Sequence, residues 1–158
     1  MSKGSVSLTG NDTIIIGQNG LTPRVLKDLA DGDVAMLEFP NDIAGVKTGK
    51  NGNSIYAFNA TGRTANGTVR VLLGSADDKY LNARYNEYRN DPASFPLIEG
   101  EFVKRVGDGQ GNVASVTYRL GGGIIQKLPT VKENTEGDTE QAVAVWGILF
   151  TNSDRAIT

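Results

Sequence analysis

A chain of 158 residues with neither cysteine nor histidine is long enough for one domain with a real core, yet it excludes disulfides, thiolate chemistry and the commonest general base. The net charge is −2 with acids and bases interspersed, so no basic block marks a nucleic-acid surface. Twenty glycines and five prolines, dispersed between apolar runs, read as the turns of a β protein rather than as a linker.

The N-terminal stretch MSKGSVSLTGND lacks the apolar run of a signal peptide. Residues 5–9 and 13–16 are β-prone and flank Gly10, Asn11 and Asp12, which predicts a hairpin. Residues 22–33 are ambiguous: Val25, Leu26 and Leu29 permit one helical turn, and a strand or irregular segment fits nearly as well. A strand is expected over 33–40, ending at Pro40, with a second over 43–48. Residues 49–53, GKNGN, read as a flexible polar loop, after which 54–62 resume the strand pattern with Tyr56 and Phe58 on one face. Residues 65–74 alternate, with Val69, Val71 and Leu73 pointing one way and Thr68 and Arg70 the other.

Residues 75–90 break the pattern and predict a single long helix. Ser75 is placed to cap it, with Asp78 three residues later, and Asp77 and Asp78 suit the positive end of the helix dipole. Leu81, Tyr85 and Tyr88 recur on one face, and Asn90, Asp91 and Pro92 stop the run. Tyrosine packs its ring while its hydroxyl reaches water, so this helix belongs on the flank of a sheet.

Residues 95–107 and 112–123 flank Asp108-Gly109-Gln110-Gly111 and predict a second hairpin. Gly121, Gly122 and Gly123 suggest a bulge or corner before 124–128 continue the sheet. Residues 129–140 are polar. The run 141–150 is apolar on both faces and predicts a central strand covered on both sides, too short to cross a membrane as a helix. Residues 151–158 read as a short polar tail.

No motif completes a catalytic set. GVKTGKNGNS at 45–54 falls short of a phosphate loop: Gly45 and Gly49 are too close, and Asn51 stands where a hydroxyl should be. GDGQGN at 107–112 has too few carboxylates for calcium and reads as a turn. Asp77, Asp78, Glu87 and Asp91 read as cap, dipole partners and solvated face. A serine nucleophile would lack its histidine. Arg63, Arg70, Lys104 and Arg119, with Tyr118 nearby, read as the polar side of strands. These residues predict a β-rich domain, two packed sheets or a small barrel with one docked helix, that binds or builds rather than catalyses. No cofactor and no metal are expected.

Five blocks carry a resemblance: 46–62 (VKTGKNGNSIYAFNATG), 69–82 (VRVLLGSADDKYLN), 100–112 (GEFVKRVGDGQGN), 121–127 (GGGIIQK) and 136–158 (EGDTEQAVAVWGILFTNSDRAIT). Together, and in this order, they resemble the tail tube proteins of contractile-tailed bacteriophages. The resemblance implies one tail-tube-like domain over 1–158, a β-sandwich or barrel with a flanking helix near 75–90. It implies homohexameric rings whose inner strands form a β-barrel, stacked into a tube through which the genome passes without tight binding. It also implies sheath, baseplate and tail terminator proteins as partners, a place in the virion after assembly in the host cytoplasm, and no membrane. Type VI secretion tubes share the fold. The assembly residues implied are Lys47, Gly49, Lys50, Asn51 and Gly52 in the loop, with Tyr85 and Tyr88 on the helix face. The alternative reading is a small β-sandwich ligand-binding module, for a carbohydrate for example.

Overall fold

The computed structural model describes residues 6–7, 13–18, 23–30, 34–131, 133, 135–137 and 139–158. It is mainly β, with one α-helix among the described residues. The strands are β1 (Val6–Ser7), β2 (Thr13–Gln18), β3 (Arg24–Val25), β4 (Ala35–Glu38), β5 (Ala44–Thr48), β6 (Ser54–Phe58), β7 (Ala65–Leu72), β8 (Ile98–Gly107), β9 (Val113–Lys127) and β10 (Val143–Ile157). The helix α1 (Ala76–Asn90) follows β7, and short 3-10 turns occupy Ala60–Arg63 and Thr139–Ala142.

The main sheet runs in the order β3-β2-β8-β9-β10-β7-β4, with β1 paired to β8. Strands β2 and β4 lie far apart in that order. Even so, Ile14 and Ile16 on β2 line the same small cavity, of about 30 Å³, as Ala35 and Leu37 on β4. The sheet therefore curls over a common interior in a barrel-like way. Alternation on β7 buries Ala65, Gly67, Val69 and Val71, and on β10 it buries Ala144, Trp146, Ile148 and Phe150. These residues join Ile98, Leu120, Ile125 and the helix residue Leu81 in one core. At roughly 1.5–3 kcal/mol per large apolar side chain removed from water, this core is the main stabilising term.

The glycines of β9 do make a bulge. Ile98 pairs with Gly123 and Gly100 with Leu120, so β9 carries one extra residue there. A side chain at 123 would lie 2.7 Å from the Phe150 ring and 2.8 Å from the Ile98 carbonyl oxygen, which restricts the site to glycine.

Several expectations need correction. The first two strands form no hairpin with each other: β1 pairs with β8, and β2 pairs with β3 and β8. The connecting residues 8–12 lie outside the described residues. Residues 151–157 are not a tail but the second half of β10, paired with β9 as far as Ile157 opposite Val116. From Thr151 to Arg155 the side chains are polar on both faces, so nothing in the pattern marked a strand; the backbone ladder supplies it. The run 141–150 is fully covered on one face only, because Val145 is exposed and Val143 and Leu149 are half-buried. Leu73 does not join Val69 and Val71 in the core; it lies beyond the end of β7 and is exposed. Residues 23–30 are extended or irregular, with β3 pairing β2 and Leu29 bridging Val71. The strand expected over 54–62 stops at Phe58 and gives way to the 3-10 turn.

The antiparallel pairing of β7 and β10 runs from Ala65 opposite Phe150 to Leu72 opposite Val143. β7 is eight residues long, roughly 23 Å of extended chain. The β5–β6 hairpin leaves at the Ala65 end. The connection 128–142, which leads into β10, arrives at the Leu72 end, where the Leu73 N–H donates to the Ala142 carbonyl across 2.8 Å.

Candidate assembly surface

Strands β5 and β6 form a two-stranded sheet of their own, with Ala44 opposite Phe58, Val46 opposite Tyr56 and Lys47 opposite Ile55. Every residue of both strands is exposed. Ala44, Val46, Tyr56 and Phe58 share one face, while Lys47 and Ile55 share the other. The loop expected to be flexible is a closed turn. The Gly49 N–H donates to the Asn53 carbonyl at 2.7 Å, and the Gly52 N–H donates to the Gly49 carbonyl at 3.0 Å. Gly52 holds a left-handed φ of 86°, which favours glycine there. The Asn51 side chain accepts from the Asn53 N–H at 3.2 Å, and the Thr48 and Ser54 hydroxyls meet at 2.9 Å across the neck. The phosphate-loop-like stretch is therefore strand, turn and strand, without the helix N-terminus that such a loop needs.

An isolated two-stranded hairpin is marginal in water, so this one depends on its root. The Asn59 N–H donates to the Ile43 carbonyl at 2.7 Å. Gly62 lies so close to Asp42 and Ile43 that an added side-chain carbon would sit 2.9 Å from their backbone atoms. The Ser153 hydroxyl donates to the Arg63 carbonyl at 2.8 Å and ties the root to β10. Beyond the root, the arm is apolar and uncovered: Ile55 is 75% exposed, Tyr56 78% and Phe58 71%. Side chains of this kind, clustered and in water, mark an interaction surface. A cleft of about 810 Å³ opens where the arm meets the sheet, lined by Phe39, Ile43, Phe58, Arg63, Asp154 and Arg155. Beside it, Phe39 stacks on Tyr118 at 6.2 Å, and the Arg155 guanidinium lies 5.7 Å from the Tyr118 ring centroid.

Lys47, Gly49, Lys50, Asn51 and Gly52 thus come together at the end of the arm. Tyr85 and Tyr88 lie elsewhere, half-buried against the chain's own core, and the Tyr88 ring meets Phe95 edge-on at 5.3 Å. Helix α1 forms as its sequence predicts, with Ser75 Oγ accepting from the Asp78 N–H at 3.3 Å. Its acids do more than cap. Asp77 is fully buried and accepts from Arg24 Nε at 2.7 Å and from the N–H groups of Lys27 and Asp28 at 2.6 Å each. Arg84 Nη1 donates to Gln18 Oε1 at 2.7 Å, and Gln18 Nε2 donates to the Pro96 carbonyl at 2.7 Å. These bonds fix the helix against β2 and β3. The only sequence signal for Asp77 was a second acid where a cap needs one.

The turn at 108–112 uses its acid internally. Asp108 accepts from Asn112 Nδ2 at 2.8 Å and from the Gln110 N–H at 2.7 Å, and these bonds hold its carboxyl below the usual range. Among the described residues no group of three or more acids assembles into a metal-binding cluster, and no helix is long and apolar enough to cross a membrane.

No family model matches the sequence, and no curated protein matches it. Solved structures do. A chain of the anti-feeding prophage cap, which terminates that particle's tube, is 11% identical with a TM-score of 0.58, covering 92% of this chain and 88% of that one. A chain of the sheath/tube terminator of PVC, an extracellular contractile injection system, is 10% identical with a TM-score of 0.56, covering 95% and 94%. A chain of the extended PVC sheath-tube complex is 8% identical with a TM-score of 0.56, covering 95% and 89%. Over nearly its whole length, then, this chain has the fold of chains found in a cap, a sheath/tube terminator and a sheath-tube complex of contractile injection particles.

Proposed function

We propose that the protein is a structural subunit of a contractile tail, one that builds the tube. The observation that carries this reading is the β5–β6 arm, an apolar hairpin with a hydrogen-bonded turn and with every strand residue exposed. Such an arm gains stability when another copy buries it, and it is an expensive feature for a protein that works alone. The fold shared with contractile injection particles supports the reading, as does the resemblance of the sequence to phage tail tube proteins. In this proposal the whole chain, residues 1–158, acts as one domain. Six copies close a ring through head-to-tail contacts, and rings stack into a conduit for the genome inside a sheath, between a baseplate and a terminator. The arm residues Lys47, Gly49, Lys50, Asn51 and Gly52 act at a neighbouring subunit. Tyr85 and Tyr88 hold the helix at the flank, with their exposed edges available to an adjacent copy. The subunit carries no catalysis, and its place is the virion, assembled in the host cytoplasm.

A second reading, a tube-terminating subunit, draws support from the likeness to a cap and to a sheath/tube terminator. Negative-stain electron microscopy of the concentrated protein separates the two. Stacked rings or long tubes support the tube subunit. Single rings that never stack support the terminator. Monomers at every concentration overturn both.

A further inference from the structure

The dipeptide Asn-Gly occurs three times in the chain, at 19–20, 51–52 and 66–67, and the first of these lies outside the described residues. The other two share a chemistry and differ in what surrounds it. The backbone nitrogen of the glycine can attack the side-chain amide carbon of the asparagine. A C–N bond forms and closes a five-membered succinimide, and the amide nitrogen leaves as ammonia, taking the proton from the glycine nitrogen. Water then opens either ring carbonyl, which gives aspartate or isoaspartate. Ring closure needs the asparagine side chain to fold back onto the next peptide unit, and a following glycine, with no side chain, obstructs it least.

At Asn51 and Gly52 the structure leaves this path open. Both residues are exposed at the end of the arm. Nothing lies within 4 Å of where a side-chain carbon of Gly52 would stand. Oδ1 of Asn51 accepts from the Asn53 N–H at 3.2 Å, a bond that stabilises the negative charge developing on this oxygen during attack. The Gly52 N–H donates to the Gly49 carbonyl at 3.0 Å, and an exposed turn bond of this kind opens locally without unfolding the sheet. At Asn66 and Gly67 the path is shut. They lie within β7, opposite Leu149 and Ile148 of β10 on one side and Glu38 and Leu37 of β4 on the other. Gly67 is buried, and a side-chain carbon there would lie 3.3 Å from the Phe150 ring and 3.4 Å from the Leu37 side chain. A strand paired along both edges cannot rotate its backbone to bring the two reacting groups together.

We propose that Asn51 is a site of spontaneous deamidation in the folded protein, whereas Asn66, in the same dipeptide, is protected. This does not depend on the tube reading. Either product adds a carboxylate to the arm, so residues 43–58, with Lys47 and Lys50 and no acid, fall from a charge of +2 to +1. Isoaspartate also inserts the side-chain carbon into the main chain, which lengthens a turn whose ends, Gly49 and Asn53, are joined by a 2.7 Å bond.

Peptide mapping tests it within one chain. The folded protein is incubated at mildly alkaline pH. Trypsin, which cuts after Lys50, Arg63 and Arg70, then places the two asparagines in separate peptides, 51–63 and 64–70. Mass spectrometry, with fragmentation to locate the change, follows the conversion of amide to acid over time. Conversion at Asn51 is expected to be at least about tenfold faster than at Asn66, because Asn66 reacts only when β7 leaves the sheet. In urea the two should convert at similar rates. Folded protein that keeps the amide at Asn51 while the unfolded chain loses it overturns the proposal, as does loss at Asn66 as fast as at Asn51 in the folded chain. A chain that keeps both amides even when unfolded overturns it as well.

Discussion

The indole N–H of Trp146 donates to Oδ1 of Asp78 across 2.8 Å, joining the first half of β10 to the first turn of α1. Trp146 is buried in the core, and an indole N–H there needs a partner. Asp78 also accepts from the Gly74 N–H at 2.9 Å, while its own N–H binds the capping Ser75. One side chain therefore closes the turn before the helix and anchors the helix to the sheet. With Asp77 beside it holding Arg24 and the backbone at 27–28, two adjacent acids clamp α1 onto two separate parts of the fold.

Removing the two acids should have unequal effects. Asp77→Ala leaves two N–H groups and a guanidinium facing a dry site, which should cost about 3 kcal/mol, near the lower end for a broken buried pair because Arg24 is partly exposed. Asp78→Ala should cost about 1–2 kcal/mol: it removes the bonds from the Trp146 indole and the Gly74 N–H, while the bond from the backbone N–H at 78 to Ser75 remains. Equilibrium urea unfolding measures both. A smaller loss for Asp77→Ala than for Asp78→Ala would contradict the clamp.

The helix was legible because its signals are local: a cap at Ser75, a four-residue apolar repeat at Leu81 and Tyr85, and a stop at Pro92. The alternation of β7 and the glycine bulge of β9 were legible for the same reason. What the sequence hid was non-local. Asp77 looks like any first-turn acid until residues 24–28 fold over it. Residues 151–155 have no apolar face, and only the pairing with β9 makes this stretch a strand. The arm was half legible: its strands and turn residues show in the pattern, but no periodicity says that both faces of β5 and β6 stay in water.

The bulge makes a local prediction. At Gly123 a methyl group would collide with Phe150 and with the Ile98 carbonyl, whereas at Gly121 nothing lies within 4 Å. Gly123→Ala should destabilise the subunit by about 1–3 kcal/mol, the usual cost of overpacking, and Gly121→Ala should be close to neutral. Thermal melts of the two variants side by side decide it, and equal losses would mean that Phe150 moves aside.

Asp108 predicts a pH dependence. Its bonds to Asn112 and Gln110 place the folded pKa below the unfolded value of about 3.9. They therefore add stability above that value and lose it as the pH falls through the folded pKa. Wild type should melt above Asp108→Asn at neutral pH, and the gap should narrow as the pH drops from about 5 toward 2. A gap that is constant with pH would show that the carboxylate charge contributes nothing to the turn. The group is fully exposed, so the gap is expected to be small.

A conduit that gripped DNA would stall its cargo, and bases here are interspersed with acids. Duplex DNA should bind no more tightly than an ordinary non-specific contact, about 10⁻⁴ to 10⁻⁶ M at physiological salt. Fluorescence anisotropy with a labelled duplex measures this. Sub-micromolar affinity would argue for a nucleic-acid-binding role instead.

The arm should matter for assembly and not for folding. Val46 and Tyr56 face each other on it and are 57% and 78% exposed. Val46→Ser/Tyr56→Ser therefore removes little buried surface and should change subunit stability by no more than about 0.5 kcal/mol. Shortening residues 48–53 to a tight Asn-Gly turn should likewise spare the melting curve, because all six residues are exposed, while it removes Lys50 and draws in the tip. Both variants should lose long tubes in electron micrographs at concentrations where wild type forms them. On the tube proposal, Lys47 and Lys50 act at a neighbouring subunit, so added salt should weaken wild-type tubes as screening reaches the scale of an ion pair. Tubes of normal length from either variant would remove the arm from assembly. A variant that melts far below wild type would make the arm part of the fold after all, braced through its root at Asp42, Gly62 and Arg63.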